Sequence, residues 1–120
     1  MRCTVQREVY WEGSSLDELR TFPDDVQKAI GYALFFAQVG LTHEDAKPLK
    51  GFKGAGVLEV IERHDGDTYR AVYTVRLRNA VYVLHCFQKK STRGIATPKR
   101  DIDLIRKRLA EAQRREHSDP

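Results

Sequence analysis

Long apolar runs are missing from this sequence. No stretch approaches the ~20 consecutive apolar residues that a helix needs to span a bilayer. Met1 to Tyr10 is polar and charged, without the apolar centre of a signal peptide. The expectation is a cytoplasmic protein with no membrane contact. Cysteine is scarce: Cys3 and Cys86 are the only two. They form no CxxC pair and no metal-ligand spacing, which points to reduced thiols in a reducing compartment. A disulfide stays open only if their strands are neighbours. The four histidines, His43, His64, His85 and His117, also lack metal-ligand spacing. A P-loop, a dinucleotide glycine fingerprint, an HExxH helix and a GxSxG serine turn are all absent. No cofactor and no metal are therefore expected.

What is present suits one globular domain spanning residues 1–120. Hydrophobic residues make up 41% of the 120 and charged residues 32%, enough for a single core under a heavily charged surface. The net charge of +4 suits a nucleic-acid partner, and equally an ordinary solubilising surface. A strand is expected over Cys3 to Arg7. Ser15 and Glu18 have capping-box spacing at the start of a short helix bearing Leu16 and Leu19. A second helix starts near Pro23, with Asp24 and Asp25 in its first turn. Its apolar face runs through Val26, Ala29, Ile30, Ala33, Leu34 and Ala37, and Gly40 ends it. Leu41 to Gly56 reads as loop.

Three strands follow, over Val57 to Arg63, Thr68 to Leu77 and Ala80 to Gln88. The first two are joined by His64-Asp65-Gly66-Asp67, a hairpin signal, and the last two by a turn around Arg78-Asn79. Such short connections make neighbours antiparallel. Lys89 to Ala96 is a basic loop. Thr97 then caps a last helix, with Pro98 in its first turn and Ile102, Ile105, Leu109 and Ala112 on one face. The polar tail, residues 115–120, is expected to fray. The fold class is α+β: an N-terminal strand, a helical hairpin, an antiparallel three-stranded meander completing one sheet, and a C-terminal helix packed with the other helices on one face.

The chemistry-bearing residues are mostly cations. Lys50 and Lys53 precede the sheet, Arg70 lies inside the middle strand, and Lys89, Lys90 and Arg93 follow the last strand. Cations at the ends of adjacent strands can converge on one groove and hold a phosphate backbone. The last helix mixes cations with Asp101, Asp103 and Glu111, which reads as a solvated face. A guanidinium inside a strand needs a carboxylate or a functional site, so Arg70 is either an ion pair, for example with Glu59, or a phosphate ligand. Trp11 is open between a partner contact and core packing.

Several of these residues also form family-like motifs. Leu49-Lys50-Gly51-Phe52, Leu58-Glu59-Val60 and Tyr69-Arg70-Ala71-Val72-Tyr73 resemble the middle of RelE-superfamily toxins. Val83-Leu84-His85-Cys86-Phe87-Gln88-Lys89-Lys90, followed by Thr97-Pro98-Lys99-Arg100-Asp101-Ile102, resembles the phage-derived, HigB-like branch more closely. The resemblance covers nearly the whole chain. It implies the toxin of a type II toxin–antitoxin pair, a metal-independent endoribonuclease that cleaves mRNA at the ribosome. It also implies a helix-turn-helix antitoxin as partner. In that chemistry the ribose 2′-hydroxyl attacks the adjacent phosphate, so no protein nucleophile is needed. Carried over, Arg70 contacts the scissile phosphate, Lys89 or Lys90 is the strand-end cation, and Lys50, Lys53 and Arg93 hold flanking phosphates. His85 is either an acid–base group or a hydrogen-bonded sheet histidine, and Glu59 is a second candidate base. Glu59 and Ile61 stand where RelE proper has lysines, and Thr97-Pro98 where it has a tyrosine. The proton-transfer groups therefore stay open. The ParE branch has the same fold but inhibits DNA gyrase without cleavage. A non-enzymatic inhibitor of that kind, or a phage-derived nucleic-acid-binding protein, is the alternative.

Overall fold

The computed structural model describes residues 6–52, 54–89 and 97–118. The order of elements is β1 (Glu8–Trp11), α1 (Ser15–Arg20), α2 (Asp24–Gln38), β2 (Ala46–Pro48), β3 (Val57–His64), β4 (Asp67–Thr74), β5 (Ala80–Lys89) and α3 (Lys99–Ser118). The strands form one five-stranded sheet in the order β1-β5-β4-β3-β2. β1 runs parallel to β5, and every other pairing is antiparallel. The architecture is the α+β one expected.

Helices cover both faces of the sheet rather than one. The α1–α2 layer contributes Leu19, Phe22, Val26, Ile30, Ala33 and Leu34, packed on Leu58, Val60, Tyr69, Ala71, Tyr73 and Val83. On the opposite face α3 contributes Ile105, Leu109 and Ala112, packed on Val57, Val72, Tyr82 and Leu84. The sequence reason lies in β5. Ala80 through Cys86 is buried throughout, and a strand that is apolar on both sides needs a cover on each. The strand alternation then divides β4 between the two cores, with Tyr69, Ala71 and Tyr73 on one side and Arg70 and Val72 on the other.

Element boundaries moved for local reasons. Of the strand expected over Cys3 to Arg7, Cys3 to Val5 lie outside the described residues, and Gln6 and Arg7 are not in a strand. The first described strand is Glu8–Trp11, where Val9 and Trp11 pack on the core, so Trp11 is a packing residue. Arg7 precedes it as a clamp, its guanidinium donating to Val75 O, Leu77 O and Ala37 O at 3.2, 2.8 and 2.8 Å. Cys3 lies outside the described residues, and Cys86 is a free, buried thiol. The expected loop over Leu41 to Gly56 contains the short strand β2, paired with β3. Its Pro48 has no N–H and suits only an edge. β4 ends at Thr74 instead of Leu77, although one further bond in the same register, Val75 N–H to Gly56 O at 2.9 Å, follows it. The β3–β4 turn is as expected. Asp65 and Gly66 have φ of 51° and 84°, the two left-handed residues of a type I′ hairpin.

Neither expected cap forms. Ser14, not Ser15, is at the N-cap of α1, and Ser15 is buried with its hydroxyl unbonded among the described residues. Glu18 is drawn away to the far side of the sheet edge, as described below. Thr97 reaches Glu59 instead of its own helix, and Pro98 O receives the first helical N–H, from Ile102, at 3.0 Å. The tail is helical through Ser118. Arg115 Nε donates to Glu12 at 2.9 Å and Glu116 accepts from Tyr82 Oη at 3.0 Å, so these contacts anchor the last turns.

Candidate functional site

Arg70 and Glu59 meet. β3 and β4 place Glu59 opposite Val72 and Ile61 opposite Arg70, so the two side chains are diagonal neighbours on the α3 face. Arg70 Nη1 donates to Glu59 Oε2 at 3.1 Å. Arg70 is 5% exposed and Glu59 8%. Of the two readings of Arg70, the ion pair is the one present. The pair is incomplete, however: Arg70 Nε is buried without a partner among the described residues. Glu59 Oε2 also accepts from Thr97 Oγ1 at 3.4 Å, which brings the approach to α3 over the pair. A guanidinium with an unspent N–H in a low-dielectric setting is a strong site for a further acceptor.

His85 is the second centre. Its Nδ1 lies 3.0 Å from Glu18 Oε1 and its Nε2 lies 2.7 Å from Asp101 Oδ1. The ring stacks on Phe87 with centroids 4.8 Å apart. Both ring nitrogens are engaged, so neither is left to exchange a proton with a substrate in this arrangement. The hydrogen-bonded histidine is the reading present here. The register explains the placement. Val72 pairs with His85 but Tyr73 pairs with Val83, so Leu84 is an extra residue and the strand bulges. A bulge re-aims side chains, and here Leu84 enters the α3 core while His85 reaches Glu18 and Asp101.

Glu18 is the residue the sequence did not single out for this site. Burial raises its pKa, but the hydrogen bonds from His85 and from Cys86 N–H, and the charge of His85, outweigh burial and hold it at about 2. Cys86 N–H donates to Glu18 Oε1 at 3.0 Å and Ser14 Oγ to Oε2 at 3.0 Å. Arg108 Nη1 lies 3.4 Å from Oε1 and donates to Leu84 O at 2.8 Å. Asp101 and Arg108, on the helix whose charges read in sequence as a solvated face, also belong to this centre. Their heptad spacing, i and i+7, puts them on one side of α3 and is the signal that was available. Burial and the charge of Glu18 push the Cys86 thiol well up, which makes it unreactive.

Among the described residues the expected cations do not converge on one point. Lys50 lies beside Leu49, whose N–H bonds Val57 O at the start of β3. Lys89 lies opposite Thr68 at the other end of β4. Val57 pairs with Thr74, so the two lysines are separated by the length of β4, roughly 20 Å at the usual strand rise. Arg70 lies between them. Lys53, Lys90 and Arg93 lie outside the described residues. Among the described residues no three His, Cys, Asp or Glu side chains are grouped to hold a metal, and no helix is long and apolar enough to cross a membrane.

Comparison with known proteins places this geometry. A family model described as phage derived protein Gp49-like matches residues 17–110. Among solved structures, the chain is similar to a mutant of Escherichia coli toxin RelE in the free state, with 15% identity and a TM-score of 0.56 over 89% of this chain and 97% of that one. It is also similar to the toxin–antitoxin complex RelBE2 from Mycobacterium tuberculosis, with 18% identity and a TM-score of 0.48 over 77% of this chain and 100% of that one. No curated protein matches the sequence significantly.

Proposed function

For a chain that belongs to the phage-derived Gp49-like family and folds as RelE does, we propose the role of toxin in a type II toxin–antitoxin pair. Its activity in this reading is cleavage of mRNA at the ribosome. The observation that carries the reading is Arg70, a buried guanidinium on the sheet with one N–H unspent and one carboxylate against it. A scissile phosphate docking there takes Glu59's place on Arg70. The displaced Glu59 carboxylate is then the base beside the 2′-hydroxyl. The 2′-oxygen attacks phosphorus, the bond to the 5′-oxygen breaks, and the leaving oxygen takes a proton from a strand-end lysine, Lys89 or Lys90. Arg70 stabilises the charge on the five-coordinate phosphorus. The products are a 2′,3′-cyclic phosphate and a 5′-hydroxyl. His85 is a positioning residue: it ties the first turn of α3 to α1. Lys50, Lys53 and Arg93 track flanking phosphates. The partners are the mRNA, the ribosome and a helix-turn-helix antitoxin.

The test is induced expression in bacteria with RNA 5′ ends mapped against an uninduced control. New ends inside translated mRNAs are expected, and an Arg70→Lys variant is expected to lower the cleavage rate roughly a hundred- to a thousandfold. Arg70→Ala is the weaker test, because it strands Glu59 in the core at a cost of about 3–5 kcal/mol. A thermal melt of each variant separates unfolding from lost chemistry.

The exclusion of Arg70 from solvent, at 5% exposure, favours a second reading. In it the protein is a non-enzymatic inhibitor, of the gyrase-binding type or a phage-derived nucleic-acid binder. Growth arrest with intact mRNA would support that reading and overturn the first.

A further inference from the structure

A groove of about 320 Å³ runs between α3 and the loop that joins β2 to β3, lined by Gly51, Phe52, Ala55, Arg106, Leu109, Ala110 and Gln113. Phe52, Ala55, Leu109 and Ala110 give it an apolar part, and among the described residues its one charge is Arg106 and no carboxylate lines it. This sets it apart from the larger groove near the end of α3. There Arg114 is paired with Glu111, and Arg115 with Glu12.

Arg108, Arg114 and Arg115 each pair with a carboxylate. Like Arg100 and Lys107, Arg106 has no ion pair among the described residues. Its guanidinium carbon instead lies 4.7 Å from the centroid of the Phe52 ring. Phe52 is itself buried at 6% exposure, so the platform under the guanidinium is fixed. Gly51 has φ of 93°, and a Cβ built there would come within 3.6 Å of Arg106 Nη2. The loop backbone therefore passes against the edge of the guanidinium, and Lys50 is the next residue along. Gln113 lies seven positions beyond Arg106, on the same side of α3, and brings an amide with both donors and acceptors.

We propose that this groove binds one nucleotide of single-stranded RNA, with its base stacked on Arg106 over Phe52 and its edge read by Gln113. The chemistry is that of single-strand recognition, in which exposed bases stack on aromatic rings and arginine planes. An unpaired guanidinium favours a ligand that carries phosphate, and the exposed Lys50 precedes Gly51 of the lining. Thr97, just before α3, bonds Glu59, and Arg106 lies seven residues beyond the start of α3 at Lys99, roughly 10 Å along its axis at the helical rise. The bound nucleotide thus flanks the Arg70–Glu59 pair instead of occupying it. The proposal rests on the RNA-cleaving reading for its ligand and adds a base-selective subsite to it.

The experiment titrates the full chain with a 2′-O-methyl RNA hexamer, which cannot be cleaved, and with an abasic ribose-phosphate oligomer of the same length. Binding is read by fluorescence anisotropy and by NMR of the Phe52 ring and the Gln113 side-chain amide. The hexamer is expected to shift both resonances. Arg106→Lys keeps the charge and removes the plane, so hexamer affinity should fall about tenfold while affinity for the abasic oligomer stays unchanged. Equal hexamer binding by wild type and Arg106→Lys, or unmoved Phe52 and Gln113 resonances, would overturn the subsite. So would an absence of hexamer binding. The two readings separate cleanly. Cleavage in cells with a silent groove removes the subsite alone, and a responsive groove with intact mRNA in cells removes the cleavage alone.

Discussion

Glu18 joins three elements at once: it starts in α1, accepts from the backbone of β5 and from His85, and lies against Arg108 of α3. Its folded pKa of about 2 lies below the ordinary value of 4.5. A depressed carboxylate stabilises the fold above its unfolded pKa, and the contribution is lost as pH falls through the folded one. The shift bounds that contribution at about 3 kcal/mol. The difference in urea-unfolding free energy between wild type and Glu18→Gln should therefore be largest at neutral pH. It should shrink between pH 4.5 and 2. A difference that is constant with pH would mean that Glu18 acts through packing alone. At this scale the sequence was partly legible. Arg70 could be singled out because a guanidinium in a strand demands a partner, and Glu59 could be named as that partner. Glu18 could not, because its serine neighbour offered a nearer use for it and its actual partners are 67 and 90 positions away.

Among the elements, α3 shows how much a helix depends on the face it covers. Ile105, Leu109 and Ala112 recur at helical spacing and are buried, so the apolar stripe was plain in the sequence. Which surface it met was not. Ile105 is fully buried against the sheet, and Ile105→Ala should cost about 2–5 kcal/mol in urea denaturation. A cost below 1 kcal/mol, a rough bound for tolerated swaps, would mean that α3 is not firmly packed. The β3–β4 turn was legible, since Asp-Gly supplies both of its left-handed positions. β2 was not. Three residues give no period to read, and that strand exists because β3 offers it an unpaired edge.

The whole molecule carries a net charge of +4. Lys50, Arg70 and Lys89 lie in sequence along the sheet, which suits an extended strand of RNA more than a single phosphate. For single strands the binding constant falls with salt at a log–log slope of about −0.7 per phosphate neutralised. Lys50→Ala and Lys89→Ala should each make the slope shallower by about 0.7, measured by anisotropy with a labelled RNA across a salt series. Slopes unchanged in both variants would move the RNA path to another face.

The sequence by itself determined the class of fold, the strand order from β3 to β5 and the hairpin turn, and it offered Glu59 as one possible partner of Arg70. These follow from local periodicity, turn chemistry and contacts between adjacent strands, all of short range along the chain. Only the tertiary structure decided that α3 covers the face opposite α1 and α2. It also decided that the β5 bulge turns His85 between Glu18 and Asp101, and that Arg106 lies on Phe52. Each of those joins residues distant in sequence, and a one-residue bulge changes which face a strand side chain takes. No local pattern records either.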